Sequence, residues 1–291
     1  MLNGTIIKGI GGFYYIDTEN GIYECRARGI FRKEKLKPTV GDFVKISVLD
    51  EKNKKGSLDV IEPRKNMLIR PRVSNVEQAI IVFAAVSPDI NIDLLDRFLI
   101  LVAEQKLDVI ICINKIDLDT DKKYENIKNM YEKSGYKVIC LSAEKGIGID
   151  ELKSNLKNKI SVFAGPSGVG KSSLINSISP NLQLKTGEIS AKIERGKHTT
   201  RHAELMQIEE NSYIVDSPGF TSLFLEHIPV EELQYYFREF EPYLSGCRYT
   251  GCSHIHEPEC AVKEQIGENI QTERYERYVN LYNELRKDRK K

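Results

Sequence analysis

Short β-rich runs punctuated by glycine open the chain. Gly4-Thr5-Ile6-Ile7 and Phe13-Tyr14-Tyr15-Ile16 are set apart by Gly9, Gly11 and Gly12. Ile22-Tyr23-Glu24-Cys25 follows the turn former Glu19-Asn20-Gly21, and Gly41-Asp42 precedes an alternating run over residues 43–48. Strands this short and closely spaced, about five in residues 1–65, predict a small β-barrel of the OB type. Residues 63–72 read as a linker. From residue 76 the pattern changes. Apolar runs without alternation lie at 78–86, 108–113, 137–141 and 160–164, separated by helix-spaced segments at 93–105, 122–133 and 149–156. The first of those segments carries Leu94, Leu95, Phe98, Leu101 and Val102. Strands apolar on both faces are what a parallel sheet covered by helices requires. Beyond residue 225 the chain reads as helical, with a Cys/His knot near 250 and a polar, charged stretch over 272–291. The fold class expected is therefore multi-domain: a barrel over 1–65, an α/β domain over 66–225, and a mostly helical metal-binding domain over 226–291.

Composition narrows the function classes. The 291 residues carry 43 basic and 42 acidic side chains, a net charge of +1. Overall charge therefore says nothing for a nucleic-acid partner, and only local patches can. One such patch is Arg26, Arg28, Arg32, Lys33, Lys35 and Lys37, opposed by Glu34 alone, with Arg64, Lys65, Arg70 and Arg72 following. Lys and Arg in such a run neutralise phosphates without regard to base sequence. The neighbouring Tyr14, Tyr15, Tyr23 and Phe31 could stack on bases, although barrel core is their more ordinary role. The longest apolar run, residues 79–86, is far short of the roughly 20 a membrane helix needs, so no membrane partner is expected. The first residues lack a basic stretch followed by an apolar one, so no signal peptide is expected.

Three segments carry phosphate chemistry. Gly165-Pro166-Ser167-Gly168-Val169-Gly170-Lys171-Ser172 matches G-x-x-x-x-G-K-[ST] between a predicted strand and an apolar helix. Glycines there let backbone N–H groups of the loop, on to Ser173, turn toward phosphates, and the helix dipole favours anions. Lys171 reaches the β- and γ-phosphates and Ser172 ligates Mg²⁺. Asp216-Ser217-Pro218-Gly219 matches D-x-x-G, in which Asp216 holds Mg²⁺ through water and the Gly219 amide senses the γ-phosphate. Between them, in Arg195-Gly196-Lys197-His198-Thr199-Thr200-Arg201, one of Thr199 and Thr200 completes the Mg²⁺ shell in a segment that orders around the γ-phosphate.

A fourth and a fifth segment read the base. Asn114-Lys115-Ile116-Asp117, directly after a strand, matches N-K-x-D, and Ser142-Ala143 follows the next strand. The Asp117 carboxylate accepts from guanine N1–H and N2–H₂, whereas adenine lacks that donor pair and leaves the carboxylate unsatisfied. Such mismatches cost about 1–3 kcal/mol. Asn114 braces the loop and the Lys115 stem covers a ring face. In an ordinary GTPase these two motifs come last. Here they come first, and a site built at strand ends survives that permutation because it depends on position in the sheet.

The six cysteines are unevenly placed: Cys247, Cys252 and Cys260 fall within fourteen positions, with His254 and His256 among them. Three thiolates and one imidazole suit tetrahedral zinc in a reducing, cytoplasmic compartment. His254 fits the spacing, and His256 could take its place.

The barrel, N-K-I-D, L-S-A, G-P-S-G-V-G-K-S, T-G-E-I-S at 186–190, G-K-H-T-T, D-S-P-G and C-x4-C-x-H-x5-C, in that order, resemble the ribosome small subunit-dependent GTPase A family of circularly permuted bacterial GTPases. The resemblance spans nearly the whole chain. It implies a monomer that binds GTP or GDP, hydrolyses GTP with Mg²⁺, and is stimulated by the small (30S) ribosomal subunit late in its maturation. It also implies that the barrel and a structural-zinc domain contact ribosomal RNA. Phe220 stands where many GTPases carry a water-orienting Gln, and the resemblance assigns that role to His198, whose imidazole can orient water and accept a proton near neutral pH. The alternative function is a GTP-sensing RNA-binding module in which hydrolysis is incidental.

Overall fold

The structure, a computed structural model, describes residues 1–33, 35–68, 72–182, 203–216 and 225–288. Five strands, β1 (Leu2–Ile10), β2 (Phe13–Thr18), β3 (Gly21–Ala27), β4 (Phe43–Asp50) and β5 (Lys55–Ile61), close into a barrel in the order β1-β2-β3-β5-β4. Alternation sends Ile6, Ile16, Tyr23, Cys25, Ile46 and Leu58 inward, each fully buried. A short helix, α1 (Ile30–Lys33), follows β3 and buries Phe31. Tyr23 and Phe31 are thus core residues. In the basic patch, the Arg26 guanidinium lies 4.6 Å from the Phe13 ring centroid, and Arg28 Nε lies 2.9 Å from the buried Asp59 carboxylate.

The expected linker is a bonded strap. β6 (Met67–Leu68) and β7 (Val73–Ser74) pair antiparallel. The wholly buried Asp42 carboxylate accepts from Thr39 N at 2.8 Å, Ser74 Oγ at 2.6 Å and Arg64 Nε at 2.6 Å. Arg64, part of the candidate RNA-binding run, is therefore a structural counter-charge, and Lys65 pairs with Glu77 at 2.8 Å. The strap is held by side chain to backbone bonds, which leave no hydrophobic period in the sequence. Arg70 lies outside the described residues.

The α/β region comprises β8 (Gln78–Ala84), α2 (Ile92–Glu104), β9 (Asp108–Asn114), α3 (Lys123–Lys133), β10 (Lys137–Cys140), α4 (Ile149–Leu156), β11 (Ile160–Ala164), α5 (Lys171–Ile178), β12 (Leu205–Glu209) and β13 (Ser212–Asp216). The sheet order is β10-β9-β8-β11-β13-β12. Every residue of β8 and β11 is buried, as the unbroken apolar runs predicted. β10 runs parallel to β9 and β11 parallel to β13, while β12 forms an antiparallel hairpin with β13. The mixed Leu-Met-Gln-Ile-Glu sequence of β12 gave no clear strand signal.

The chain forms two compact units, each assembled from separate stretches. One holds Met1–Ile80, Ile149–Ala164 and Lys171–Gly219, and the other Ile81–Gly148, Gly165–Gly170 and Phe220–Lys291. In the second unit, 3₁₀ turns at Val230–Tyr236 and Arg238–Gly246 lead to α6 (Ala261–Glu264) and α7 (Thr272–Asp288). The polar stretch at the end of the chain is therefore largely helix. It buries Arg274, Tyr278, Leu281 and Leu285 at helical spacing, and the arginine in this row hid the stripe from a hydrophobicity reading.

Arg274, 1% exposed, sits between two buried acids. Its Nε donates to Glu239 at 2.6 Å, its Nη1 donates to Asp96 of α2, and its guanidinium lies 4.6 Å from the Phe237 ring centroid. Asp96 also accepts from Tyr131 of α3 at 2.6 Å and from Arg277 at 2.6 Å. Burial alone would favour loss of the Arg274 proton, but Asp96 and Glu239 overcome that and hold the cation. Removing one partner of such a buried group strands charge away from water. Arg274→Ala is expected to lower stability by about 3–5 kcal/mol. Urea unfolding of the full chain followed by circular dichroism measures it, and a loss under about 1 kcal/mol would place the cluster among weak surface pairs.

Candidate nucleotide and metal sites

β9 delivers Asn114 to its C-terminal end, where the side chain is 2% exposed. Asn114 Nδ2 donates to Val169 O of the phosphate loop at 2.9 Å, and Oδ1 accepts from Ala143 N at 3.1 Å. One carboxamide thus joins the N-K-x-D, phosphate and S-A segments. Lys115 adopts a left-handed conformation (φ 61°), and its Nζ donates to Gly168 O at 2.7 Å and to Ser87 O. The glycines allow this closeness: a Cβ on Gly170 would lie 2.5 Å from Asn114 Nδ2, and one on Gly165 2.1 Å from Val82 O. Both have positive φ, 92° and 142°, so a side chain would be strained as well as crowded.

Asp117 lies in the 3₁₀ turn Ile116–Leu118 with its carboxylate exposed and, among the described residues, without a hydrogen-bond partner. Two free acceptor oxygens at the end of a parallel strand suit a donor pair such as guanine N1–H and N2–H₂. Ser142 is fully buried. Its backbone exchanges bonds with Ile147 at 3.0 and 3.1 Å, and its Oγ accepts from Lys145 N at 3.1 Å. The serine therefore shapes the loop that presents the Ala143 amide.

Lys171 opens α5, followed by Ser172, 8% exposed, and Ser173. Register places Asp216, the last residue of β13, opposite Phe163 of β11, two positions before Gly165 in the chain. His198, Thr199, Thr200, Gly219 and Phe220 lie outside the described residues, as does the T-G-E-I-S segment.

Cys247, Cys252, His254 and Cys260 gather with their ligand atoms within 4.8 Å of one another. His254 Nδ1 lies 3.5 Å from Cys247 Sγ and 3.3 Å from Cys260 Sγ, and those two sulfurs are 3.9 Å apart. A tetrahedral zinc ion with bonds of about 2.3 Å to sulfur and 2.0–2.1 Å to nitrogen would set these separations near about 3.8 and 3.6 Å. The donor set fits such an ion. His256 is exposed and outside the group.

The surroundings fix this geometry. His254 Nε2 meets Gln234 Oε1 at 2.8 Å, an arrangement that leaves Nδ1 as the ligating nitrogen. Tyr275 and Tyr278 donate to the carbonyls of His254 and Ser253 at 2.8 and 2.9 Å. Burial pushes the Cys252 thiol up to about 12 and lowers the His254 imidazole. A dication would reverse the cost of holding thiolates there. Burial would raise Glu257, but donors from Ser253 and Ile255 overturn this and bring it down to about 2. Sequence reasoning missed Gln234, Glu257 and the two tyrosines, which act through folding contacts that no ligand spacing encodes.

The N-K-x-D and S-A segments after β9 and β10, preceding in the chain a G-x-x-x-x-G-K-S loop after β11, give the motif order of a circularly permuted P-loop GTPase. The RsgA GTPase family model matches residues 61–226, and the model of the RsgA N-terminal domain matches residues 3–57. The chain is 50% identical over 292 residues to the small ribosomal subunit biogenesis GTPase RsgA of Alkaliphilus metalliredigens, with 100% of each chain covered. It is 50% identical to the protein of the same name from Caldanaerobacter subterraneus subsp. tengcongensis, covering 100% of this chain and 98% of that one. Among solved structures it is similar to YjeQ from Thermotoga maritima, with a TM-score of 0.83, 38% identity and 98% of each chain covered. It is also similar to YloQ, described as a circularly permuted GTPase, with a TM-score of 0.81, 38% identity, and 99% of this chain and 96% of that one covered. The chain belongs to the RsgA GTPase family.

Asp117→Asn inverts part of the acceptor pattern offered to the base. The variant is expected to bind XTP in preference to GTP, with a change of about fivefold or more for each competitor, as a base-edge mismatch of about 1–3 kcal/mol requires. Competition between GTP, ATP and XTP reads this out. A folded variant with unchanged GTP preference would remove Asp117 from base reading.

Proposed function

We propose that this chain binds the small ribosomal subunit late in maturation and hydrolyses GTP there, with turnover stimulated by the subunit and release following hydrolysis. The observation that carries the nucleotide half is Asn114, which holds the two base-reading segments and the phosphate loop in one bonded group. The partner half is supported by relatives named for small ribosomal subunit biogenesis that match this chain end to end.

The substrate is GTP with its Mg²⁺. Asp117 selects the base, Asn114 and Lys115 hold the base and phosphate loops in register, and the Gly165–Gly170 backbone with Lys171 cradles the phosphates. Ser172 and Thr200 would ligate the Mg²⁺, with Asp216 behind it through water, and Thr199 and the Gly219 amide would respond to the γ-phosphate. The Mg²⁺ offsets charge on the phosphate oxygens. With Phe220 in place of a Gln, His198 orients the attacking water and accepts its proton.

Zinc held by Cys247, Cys252, His254 and Cys260 is structural. The four protein donors complete a tetrahedron and leave no open position for a substrate. Freshly purified protein is expected to contain about one zinc per chain by elemental analysis, the stoichiometry of one such site. Cys252→Ser is expected to loosen the C-terminal region and weaken subunit binding while GTP affinity stays within about twofold. Protein free of zinc would reject the assignment.

The function is tested by GTPase rate with and without purified small subunits. Stimulation is the expected result, and nucleotide-dependent binding without stimulation would favour a GTP-sensing module. His198→Ala is expected to retain GTP binding and lose about 10²–10⁴-fold of stimulated turnover, the range of a positioned acid–base group. Stimulated turnover within about twofold of wild type would leave His198 without the catalytic role.

A further inference from the structure

The stretch of chain between the Gly196–Thr200 motif and the Asp216-Ser217-Pro218-Gly219 motif is, over its described residues 203–216, almost entirely the β12–β13 hairpin. Its ladder runs from Leu205 opposite Val215 to Glu209 opposite Ser212, so the two strands move as one piece. Contacts from the barrel hold this hairpin, all within the first compact unit, and Thr5 of β1 also bonds the Tyr213 hydroxyl. At the start of β12, Glu204 forms an antiparallel backbone bridge with Lys8, and Lys8 Nζ meets Glu204 Oε1 at 2.9 Å. Lys8 sits where the β1–β2 register slips between Ile6 and Lys8, and a bulge of this kind re-aims a strand residue away from its own ladder. On β13, three residues before Asp216, Tyr213 is 3% exposed and donates its hydroxyl to Asp17 Oδ2 of β2 at 2.6 Å. Burial and the Asp17 carboxylate push the Tyr213 hydroxyl well above its ordinary range, so it stays a donor at any physiological pH.

We propose that Tyr213, Asp17, Lys8 and Glu204 are positioning residues through which the barrel sets the placement of the β12–β13 hairpin and, along β13, of Asp216. The barrel grips the hairpin at the end that leaves the threonine motif and again on the strand that ends at Asp216. A ligand that shifts the barrel therefore acts on the strand that ends at Asp216. Coupling of this kind is reciprocal: if the γ-phosphate biases the hairpin, the barrel must register the identity of the bound nucleotide. A cleft of about 720 Å³ beside the contact, lined by Asp17, Lys45, Gln207, Glu210 and Tyr213 among others, leaves room for the hairpin to shift against the barrel. The identity of the barrel ligand as ribosomal RNA rests on the reading under Proposed function, but the coupling itself does not.

The test uses the full chain without ribosomes. Amide hydrogen exchange over residues 2–18 is compared with GDP and with a non-hydrolysable GTP analogue bound, in wild type and in the Lys8→Ala/Tyr213→Phe variant. Wild type is expected to show exchange rates that differ between the two nucleotides by about fivefold or more, the low end of typical allosteric coupling. In the variant the difference is expected to fall below about twofold, while nucleotide affinity and protection of β11 are unchanged. Asp17→Asn keeps an acceptor for the Tyr213 hydroxyl and is expected to retain the difference, which separates loss of the bond from loss of folding. Equal exchange with both nucleotides in wild type, or a difference that persists in the variant, would overturn the proposal. A second measurement follows stimulated hydrolysis in Tyr213→Phe, where kcat is expected to fall with KM for GTP unchanged, and a kcat equal to wild type would count against the proposal. Absence of stimulation in wild type would count against the ribosomal reading alone, since the exchange experiment judges the coupling independently.

Discussion

A buried primary amide has one acceptor and two donor hydrogens to place, and the nucleotide site is organised around how Asn114 places them. Its partners are main-chain groups of two loops that are 26 residues apart in sequence, Ala143 and Val169. Replacing it with an apolar residue would strand buried polar groups at about 1–3 kcal/mol each, so the amide specifies the loop arrangement as well as stabilising it. Its neighbours follow from that choice. Gly170 must lack a side chain because the amide occupies the space, and Lys115 turns left-handed so that its ammonium can bridge to Gly168. The same bonds explain why permutation leaves the motifs working. They join loop ends in space, and the direction in which the chain visits those ends does not enter.

A second organising contact lies among the helices of the C-terminal region. Arg274 collects carboxylates from α2 and from the Arg238–Gly246 turn, and Arg277 and Tyr131 complete the shell. Phe237 and Phe240 stack on each other and meet Tyr278 edge to face beside it, and Phe240 also packs edge-on against His254. The metal-binding group and the ion cluster therefore share one aromatic core. The Cys/His group lies at one end of this core, and the buried arginine ties the other to α2.

Legibility in the sequence followed the physics of each element. The strands of the sheet could be read because burial on both faces forces unbroken apolar runs, and the barrel because β-branched residues alternate between glycine turns. The loop motifs could be read because backbone approach to phosphate demands glycine and base reading demands a carboxylate. What escaped was held by pairs distant in sequence. Arg64 looked like part of a basic patch, yet its charge answers Asp42, 22 residues earlier. The helical character of the last residues was read, but its buried face was not, because one core position is an arginine whose burial depends on acids 35 and 178 residues away. β12 escaped because its sequence is mixed and its register is set by β13. Gln234 gave no signal, since a second-layer contact to a ligating histidine has no fixed spacing.

The bridge between Lys8 and Glu204 spans 196 residues of chain. A ribosome adding about 5–20 residues per second needs about 10–40 s to pass from one to the other. The five barrel strands are all complete by residue 61, so the barrel emerges from the exit tunnel early and waits, with its hairpin-facing surface bare, for most of synthesis. Asp96 likewise precedes its partner Arg274 by 178 residues. On a growing chain the barrel strands are thus all made before the phosphate loop and before the strand that ends at Asp216, so the parts of the nucleotide site are added to a module already present.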